Sequence, residues 1–276
     1  MTTAVARPAV STAELKRAWM AVQAGQFRSG GRRRSTSPGC ARSRPEGVWE
    51  PTEPVLPVVG CHGGAGATTL AVALATASGV ARVIECATAT ASGLAATATA
   101  ELGHTGGWAQ GSRDQVLLER ATATVTGPDD VPTPTAPTRP EGLSVLDVSW
   151  ELSQLLAGSS WLADQVRHAP TVIAVTSATL PGLRRLEGAL ALLHGTDVVA
   201  GVVGPRRGRW PRGVAASMGP RTRELDRRCH LVDIPTDAGL AGRGLDSGPL
   251  PPALLSAAAT LLRLATTDTH GKDLPS

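Results

Sequence analysis

Residues 55–79 read VLPVVGCHGGAGATTLAVALATASG, and the fold turns on this stretch. Val55 to Val59 is a short apolar run rich in β-branched residues, which predicts a buried strand. Gly60 to Ala67 is a loop of small residues, and the run that follows predicts a helix begun by Thr68 or Thr69. Strand, glycine loop and helix N-terminus in that order suit a phosphate. Glycines let backbone N–H groups approach an anion closely, and the helix end favours negative charge.

The usual phosphate loop, GxxxxGK[ST], carries a lysine that reaches the β- and γ-phosphates. Here Gly66 is followed by Ala67 and then Thr68, so the loop keeps its backbone cradle and its hydroxyl but not its cation. Only Lys16 and Lys272 occur in the chain; the other members of its 27 Lys and Arg residues are arginines. Read from the residues alone, a glycine-rich turn without a ligand stays open as the alternative.

The stretch CHGGAGATT (61–69) resembles the deviant phosphate loop of the ParA/MinD family of ATPases, KGGxGK[ST][ST]. Gly63, Gly64, Gly66, Thr68 and Thr69 match, while His62 and Ala67 stand at the two lysines of the pattern. The resemblance implies ATP or ADP with Mg²⁺ as cofactor, held by N–H groups of Gly63, Gly64, Ala65, Gly66, Ala67, Thr68 and Thr69, with the Thr68 hydroxyl on the metal. With both lysines gone, it implies a degenerate member.

Composition allows such a domain. At 276 residues and 42% hydrophobic, the chain can hold one large α/β domain or two small ones. One Phe and no Tyr make the core aliphatic. Cys40, Cys61, Cys86 and Cys229 are scattered without CxxC spacing, which points to neither a zinc site nor a disulfide framework. No apolar signal region begins the chain, and no uncharged apolar run reaches about 18 residues. The expected home is cytoplasmic, in a bacterium to judge from the abundance of Arg, Ala and Gly.

Along the chain, residues 11–26 predict a short helix with Leu15, Trp19 and Val22 on one face. Residues 28–54, rich in Arg, Ser, Gly and Pro, predict a disordered basic linker. The domain is expected over 55–267, with 1–54 as an N-terminal extension and 268–276 as a flexible tail. ARVIEC (81–86) predicts a second strand ending at Glu85; in the family the acid there faces the phosphates and helps position the attacking water. SGLAATATAELG (92–103) predicts an Ala-rich helix, 106–125 an added strand around Val116 to Leu118, and the proline-rich 127–142 a surface loop.

LSVLDVSW (143–150) predicts a strand whose Asp147 is the candidate second ligand of the magnesium shell. Strands follow at 171–177, 197–204 and 230–235, with helices at 180–195, 214–229 (broken at Gly219-Pro220) and 251–265, and a loop over 236–250. The order resembles ParA/MinD over about 55–265. Gly204-Pro205 stands where the family has an adenine-reading Asn, and Pro235 with Asp237 matches the loop that passes the base.

Arg206, Arg207, Arg209 and Arg212, with Trp210 among them, form a second constellation. Arginines around a Trp suit phosphate contact with base stacking, or equally a solvated basic loop. No GxSxG, HExxH or metal-spaced His/Cys cluster is present. The expected architecture is a three-layer, doubly wound, mostly parallel P-loop NTPase-like sheet with a disordered basic N-terminal extension. The expected function is a degenerate ParA/MinD-like nucleotide-binding protein or pseudo-ATPase in positioning, partitioning or assembly, for DNA or plasmid segregation or for secretion or pilus machinery. A slow ATPase using an arginine, and a nonspecific DNA-binding module, are the alternatives. The expected partners are another protein or a second copy of the chain, with DNA through the Arg-rich segments.

Overall fold

The computed structural model describes residues 49–136 and 142–270. The expected helix at 11–26 and most of the expected linker lie outside the described residues. β1 (Val55–Gly60) is followed by α1 (Ala67–Ser78) and β2 (Ala81–Glu85). Next come β3 (Ala100–Thr105), β4 (Trp108–Arg113) and β5 (Val116–Ala121), then β6 (Leu143–Val148), α2 (Leu152–Ala157) and α3 (Trp161–His168). The chain continues as β7 (Thr171–Ser177), α4 (Leu180–Leu192), β8 (Asp197–Gly204), α5 (Arg212–Ala216), α6 (Pro220–Arg227), β9 (Leu231–Pro235), α7 (Ala238–Arg243) and α8 (Pro252–His270).

Among the described residues the strands form one sheet in the order β3-β4-β5-β2-β6-β1-β7-β8-β9. Every pairing is parallel except those of β4 with β3 and with β5. Helices cover both faces, giving three layers and the architecture of a P-loop NTPase. On one face, α1 and α8 bury Leu70, Leu74, Leu254 and Leu261 against Val58, Val83 and Val145. On the other, Leu155, Leu162, Leu186 and Leu225 from α2, α3, α4 and α6 pack on Ile84, Leu146 and Val172. Strands buried on both faces read as continuous apolar runs, which is why β1, β7 and β8 were legible.

Two stretches differ from expectation. Residues 92–103 hold no α-helix: a 3₁₀ turn covers Leu94–Thr97, and Ala100 onward is β3. Alanine favours helix, but Thr97 and Thr99 are β-branched, and the chain is pinned as a hairpin by Gly103, Gly106 and Gly107, all at positive φ. The 236–250 loop contains α7, begun by Asp237, whose carboxylate accepts from the Leu240 N–H at 2.7 Å.

The last residues ahead of β1, read from the sequence as the end of the linker, pack on the domain. Trp49 is buried edge-on against Trp161, with ring centroids 5.1 Å apart. Glu53 pairs with Arg82, which also bonds Ser144 at 2.6 Å and Glu119 at 3.2 Å. A hydrophobic count over 28–54 does not register two anchors this widely spaced.

Candidate functional site

The loop leaves the carboxyl end of β1 and turns into α1. Cys61 N–H bonds to the Val175 carbonyl at 2.8 Å, which fixes the start of the loop against β7. Gly64 and Gly66 sit at φ 74° and 92°, the left-handed region where a Cβ is strained, so the turn needs glycine at both. Gly66 occupies the cap position of α1, and no side chain caps this helix. The N–H groups of Ala67, Thr68 and Thr69 lie in its first turn, where an α-helix offers them no internal acceptor. They are the donors an anion would use.

Ala67 places a methyl where the usual loop has its lysine, and this methyl packs against the α1 face of the core. His62 does not replace it from the front. Its Nδ1 donates to the Gly63 carbonyl at 2.9 Å, and its Nε2 lies 3.1 Å from Ser177 Oγ at the end of β7. Both ring nitrogens are thus engaged with the scaffold.

Glu85 and Asp147 face each other in register on β2 and β6. Val58 of β1 is the partner of Asp147 on the other side, so the acid lies beside the strand that feeds the loop. Both carboxylates are buried, but their surroundings differ. Glu85 is fully engaged: it accepts from Ser92 Oγ at 2.6 Å, from Gly93 N–H at 2.6 Å and from Leu94 N–H at 3.0 Å. It clasps the 3₁₀ turn at Leu94–Thr97. The water-positioning role expected of it finds an acid already occupied by the Ser92 hydroxyl and the backbone of the turn.

Asp147 is wholly buried, and its Oδ2 has no hydrogen-bond partner. Its Oδ1 accepts a bond of 3.3 Å from Ser149. Burial pushes its pKa up to about 7; the Thr68 hydroxyl pulls against that shift, the Glu85 charge adds to it, and Ser149 opposes it weakly. A buried carboxylate oxygen without a donor, next to a threonine hydroxyl at the head of a phosphate loop, is the donor set a hard divalent cation takes. Thr68 and Asp147 therefore fit Mg²⁺. Bound there, the ion would neutralise phosphate charge and satisfy the orphaned oxygen.

Parallel strands bring the loop, Glu85 and Asp147 to one end of the sheet, the end at which α/β folds bind ligands. Pro235 ends β9 at the same end, and Asp237 caps α7 just beyond it. Gly204 leaves no side chain at the end of β8. A Cβ there would lie 2.6 Å from that of Ala178, so close packing accounts for the glycine. Among the described residues, cavities lie elsewhere too, at the amino ends of the strands, one beside Ala81 and Ser144 and another beside Leu56 and Thr171. In the first, Glu53 and Arg82 pair with each other, and Asp114 also lines it.

No protein-family model and no curated protein matches the sequence. Solved structures do. They include MinD complexed with Mg-ADP from Pyrococcus horikoshii OT3, at 15% identity and TM-score 0.48, covering 78% of this chain and 98% of that one. The chain resembles the ParA/MinD ATPases in fold. Apo McdA from Cyanothece is 11% identical with TM-score 0.48, covering 78% and 99%. A ParA family ATPase from Chlorobium tepidum TLS is 13% identical with TM-score 0.43, covering 78% and 92%.

The arginine constellation separates into different roles. Trp210 is buried, and its Nε1 donates to the Pro205 carbonyl at 2.8 Å. It belongs to the core and offers no stacking platform. Arg207 pairs with Asp226 and Asp233, and its own N–H bonds Asp233 Oδ2 at 3.0 Å. Arg206, Arg209 and Arg212 are exposed, as are Arg184, Arg185 and Arg223 on α4 and α6. Sequence reasoning missed these last three because the pairing of α4 with α6 is a tertiary fact.

Proposed function

We propose that the domain binds Mg-ATP or Mg-ADP on the 63–69 loop and works as a nucleotide-dependent positioning, partitioning or assembly protein with slow or absent hydrolysis. The buried, unpartnered Oδ2 of Asp147 beside Thr68 carries this reading. A carboxylate is costly to keep in such a place without a cation.

Weak hydrolysis follows from the missing charge. Phosphoryl transfer depends on positioning and charge neutralisation. Here Mg²⁺ and the α1 N-terminus would act without the lysine, and a helix dipole is worth only about 0.3–1 kcal/mol. An arginine supplied by a partner or a second copy would restore about 10³–10⁵ in rate, which is the slow-ATPase alternative.

A thermal-shift titration tests the nucleotide reading. Mg-ADP is expected to raise the melting temperature of the wild type and not of Thr68→Ala. An unchanged wild-type melting temperature at millimolar Mg-ADP contradicts it. The reading of slow or absent hydrolysis fails if wild-type protein alone turns over ATP rapidly and Asp147→Ala abolishes the turnover.

A second reading concerns DNA. The exposed Arg184, Arg185, Arg206, Arg209, Arg212 and Arg223 lie on α4, α6 and the segment joining β8 to them, with no carboxylate partner among the described residues. Such a surface suits sequence-independent contact with a phosphate backbone. Binding to random duplex that does not weaken with salt would exclude it.

A further inference from the structure

Arg113 ends β4 with its guanidinium buried. A guanidinium remains charged in proteins, and burying a charge is costly unless it is paired or fully hydrogen-bonded. Among the described residues Arg113 has no carboxylate partner. Its acceptors are backbone carbonyls: Thr97 at 3.2 Å and Asp246 at 2.7 Å from Nη1, and Gly248 from Nη2.

Those carbonyls belong to two segments far apart in sequence. Thr97 closes the 3₁₀ turn that Glu85 clasps. Gly93, at the front of that turn, lies against Thr68, since a Cβ added there would sit 3.3 Å from Thr68 Cγ2. The turn therefore backs the methyl of Thr68, the residue whose hydroxyl is assigned to magnesium.

Asp246 and Gly248 follow α7. The Asp246 Oδ1 accepts from the Gly248 N–H at 2.9 Å, an Asx turn, while Oδ2 pairs with Arg243 at 2.8 Å. Folded so, the turn directs both main-chain carbonyls to one guanidinium. It continues the segment that starts at Pro235 and Asp237. Arg113 stands opposite Val116 and so level with Ala81, toward the amino end of the sheet, and ties the far end of the turn that touches Thr68 to the loop after β9.

We propose that Arg113 is a positioning residue, which holds the phosphate side and the post-β9 side of the nucleotide site at a fixed separation and so sets how long nucleotide stays bound. This rests on the reading of the loop as a nucleotide site. A lysine can offer a charge but not a planar fork to three separated carbonyls, so it restores the function only in part.

The test measures dissociation of a fluorescent ADP analogue with Mg²⁺ from full-length wild type, Arg113→Met and Arg113→Lys, with amide exchange of the ligand-free proteins alongside. Arg113→Met is expected to speed both dissociation and exchange at 92–97 and 244–250. The dissociation rate should rise roughly tenfold or more, as loss of outer-shell support does at metal sites, with Arg113→Lys between it and wild type. Leu162→Ala, which opens the core on the opposite face, should lower stability and leave dissociation unchanged. If Arg113→Met does not fold, Arg113→Lys alone must show the faster dissociation. Wild-type dissociation rates in the folded Arg113 variants overturn the positioning role while leaving the nucleotide site standing. Failure of wild type to bind overturns the nucleotide reading and the positioning role with it.

Discussion

Glu85 and Asp147 stand opposite one another on adjacent parallel strands, yet one carboxylate is filled with hydrogen bonds and the other keeps a buried oxygen without a partner. Equal sequence contexts, an acid at the end of an apolar strand, thus lead to different chemistry. Glu85 is committed to holding a turn. Asp147 keeps an open oxygen, which the proposed reading gives to a cation.

The structural role of Glu85 has a measurable cost. Glu85→Ala leaves the buried Leu94 N–H and its neighbours without their acceptor, which is worth about 1–3 kcal/mol. Denaturant unfolding should show that loss, and amide exchange should rise first over 92–97. Unchanged stability would mean that the clasp contributes nothing.

Asp147 makes stability depend on pH with a definite sign. Its folded pKa is raised from 3.8 to about 7. The folded protein therefore holds a proton that the unfolded chain has already released. Stability contributed by this group is full below about pH 4, falls as pH rises toward 7 and stays low above it. Asp147→Asn should stabilise the metal-free protein at pH 8 by on the order of a few kcal/mol. At pH 4 the gain should be small. Mg²⁺ with ADP should stabilise wild type at pH 8 and leave Asp147→Asn nearly unaffected. A gain that does not vary with pH would contradict this assignment.

Restoring the cation should restore affinity. Ala67→Lys puts an ammonium at the head of α1, beside the expected phosphates. A charge-assisted hydrogen bond contributes about 1.5–3 kcal/mol, on the order of ten- to a hundredfold in dissociation constant. Competition binding of ATP against a fluorescent analogue measures it. Equal affinities for wild type and variant would show that the loop is not where phosphate binds.

The arginines and Trp210 should separate experimentally. Trp210→Ala removes a buried indole and should cost about 3–5 kcal/mol of stability. Replacing Arg206, Arg209 and Arg212 together by Gln should leave stability nearly unchanged and flatten the salt dependence of DNA binding. The slope should fall by about 0.9 for each phosphate that is no longer neutralised.

Two central strands were readable because each is buried on both faces and so appears as an uninterrupted apolar run, Val55 to Val59 and Val172 to Val175; β6 was readable from Val145 and Leu146 followed by an acid, Asp147. The loop was readable from Gly63 to Thr69, because positive φ and close approach limit the residue types. β3 was not readable. All six of its residues are exposed, so no apolar alternation marks it, and Ala95, Ala96 and Ala98 just before it favour the wrong element. Trp210 misled for a different reason. Sequence places it among arginines, but only the tertiary fold shows that its ring faces inward. Arg113 carried no signal at all, since two of the carbonyls it binds lie more than 130 residues away.

The most direct measurement is a calorimetric titration of ATP and of ADP into the full-length protein, with and without Mg²⁺, repeated on Thr68→Ala. Binding is expected to require Mg²⁺ and to disappear in Thr68→Ala. Absence of binding to wild type at millimolar nucleotide would contradict a nucleotide site here and leave the loop as a turn without a ligand.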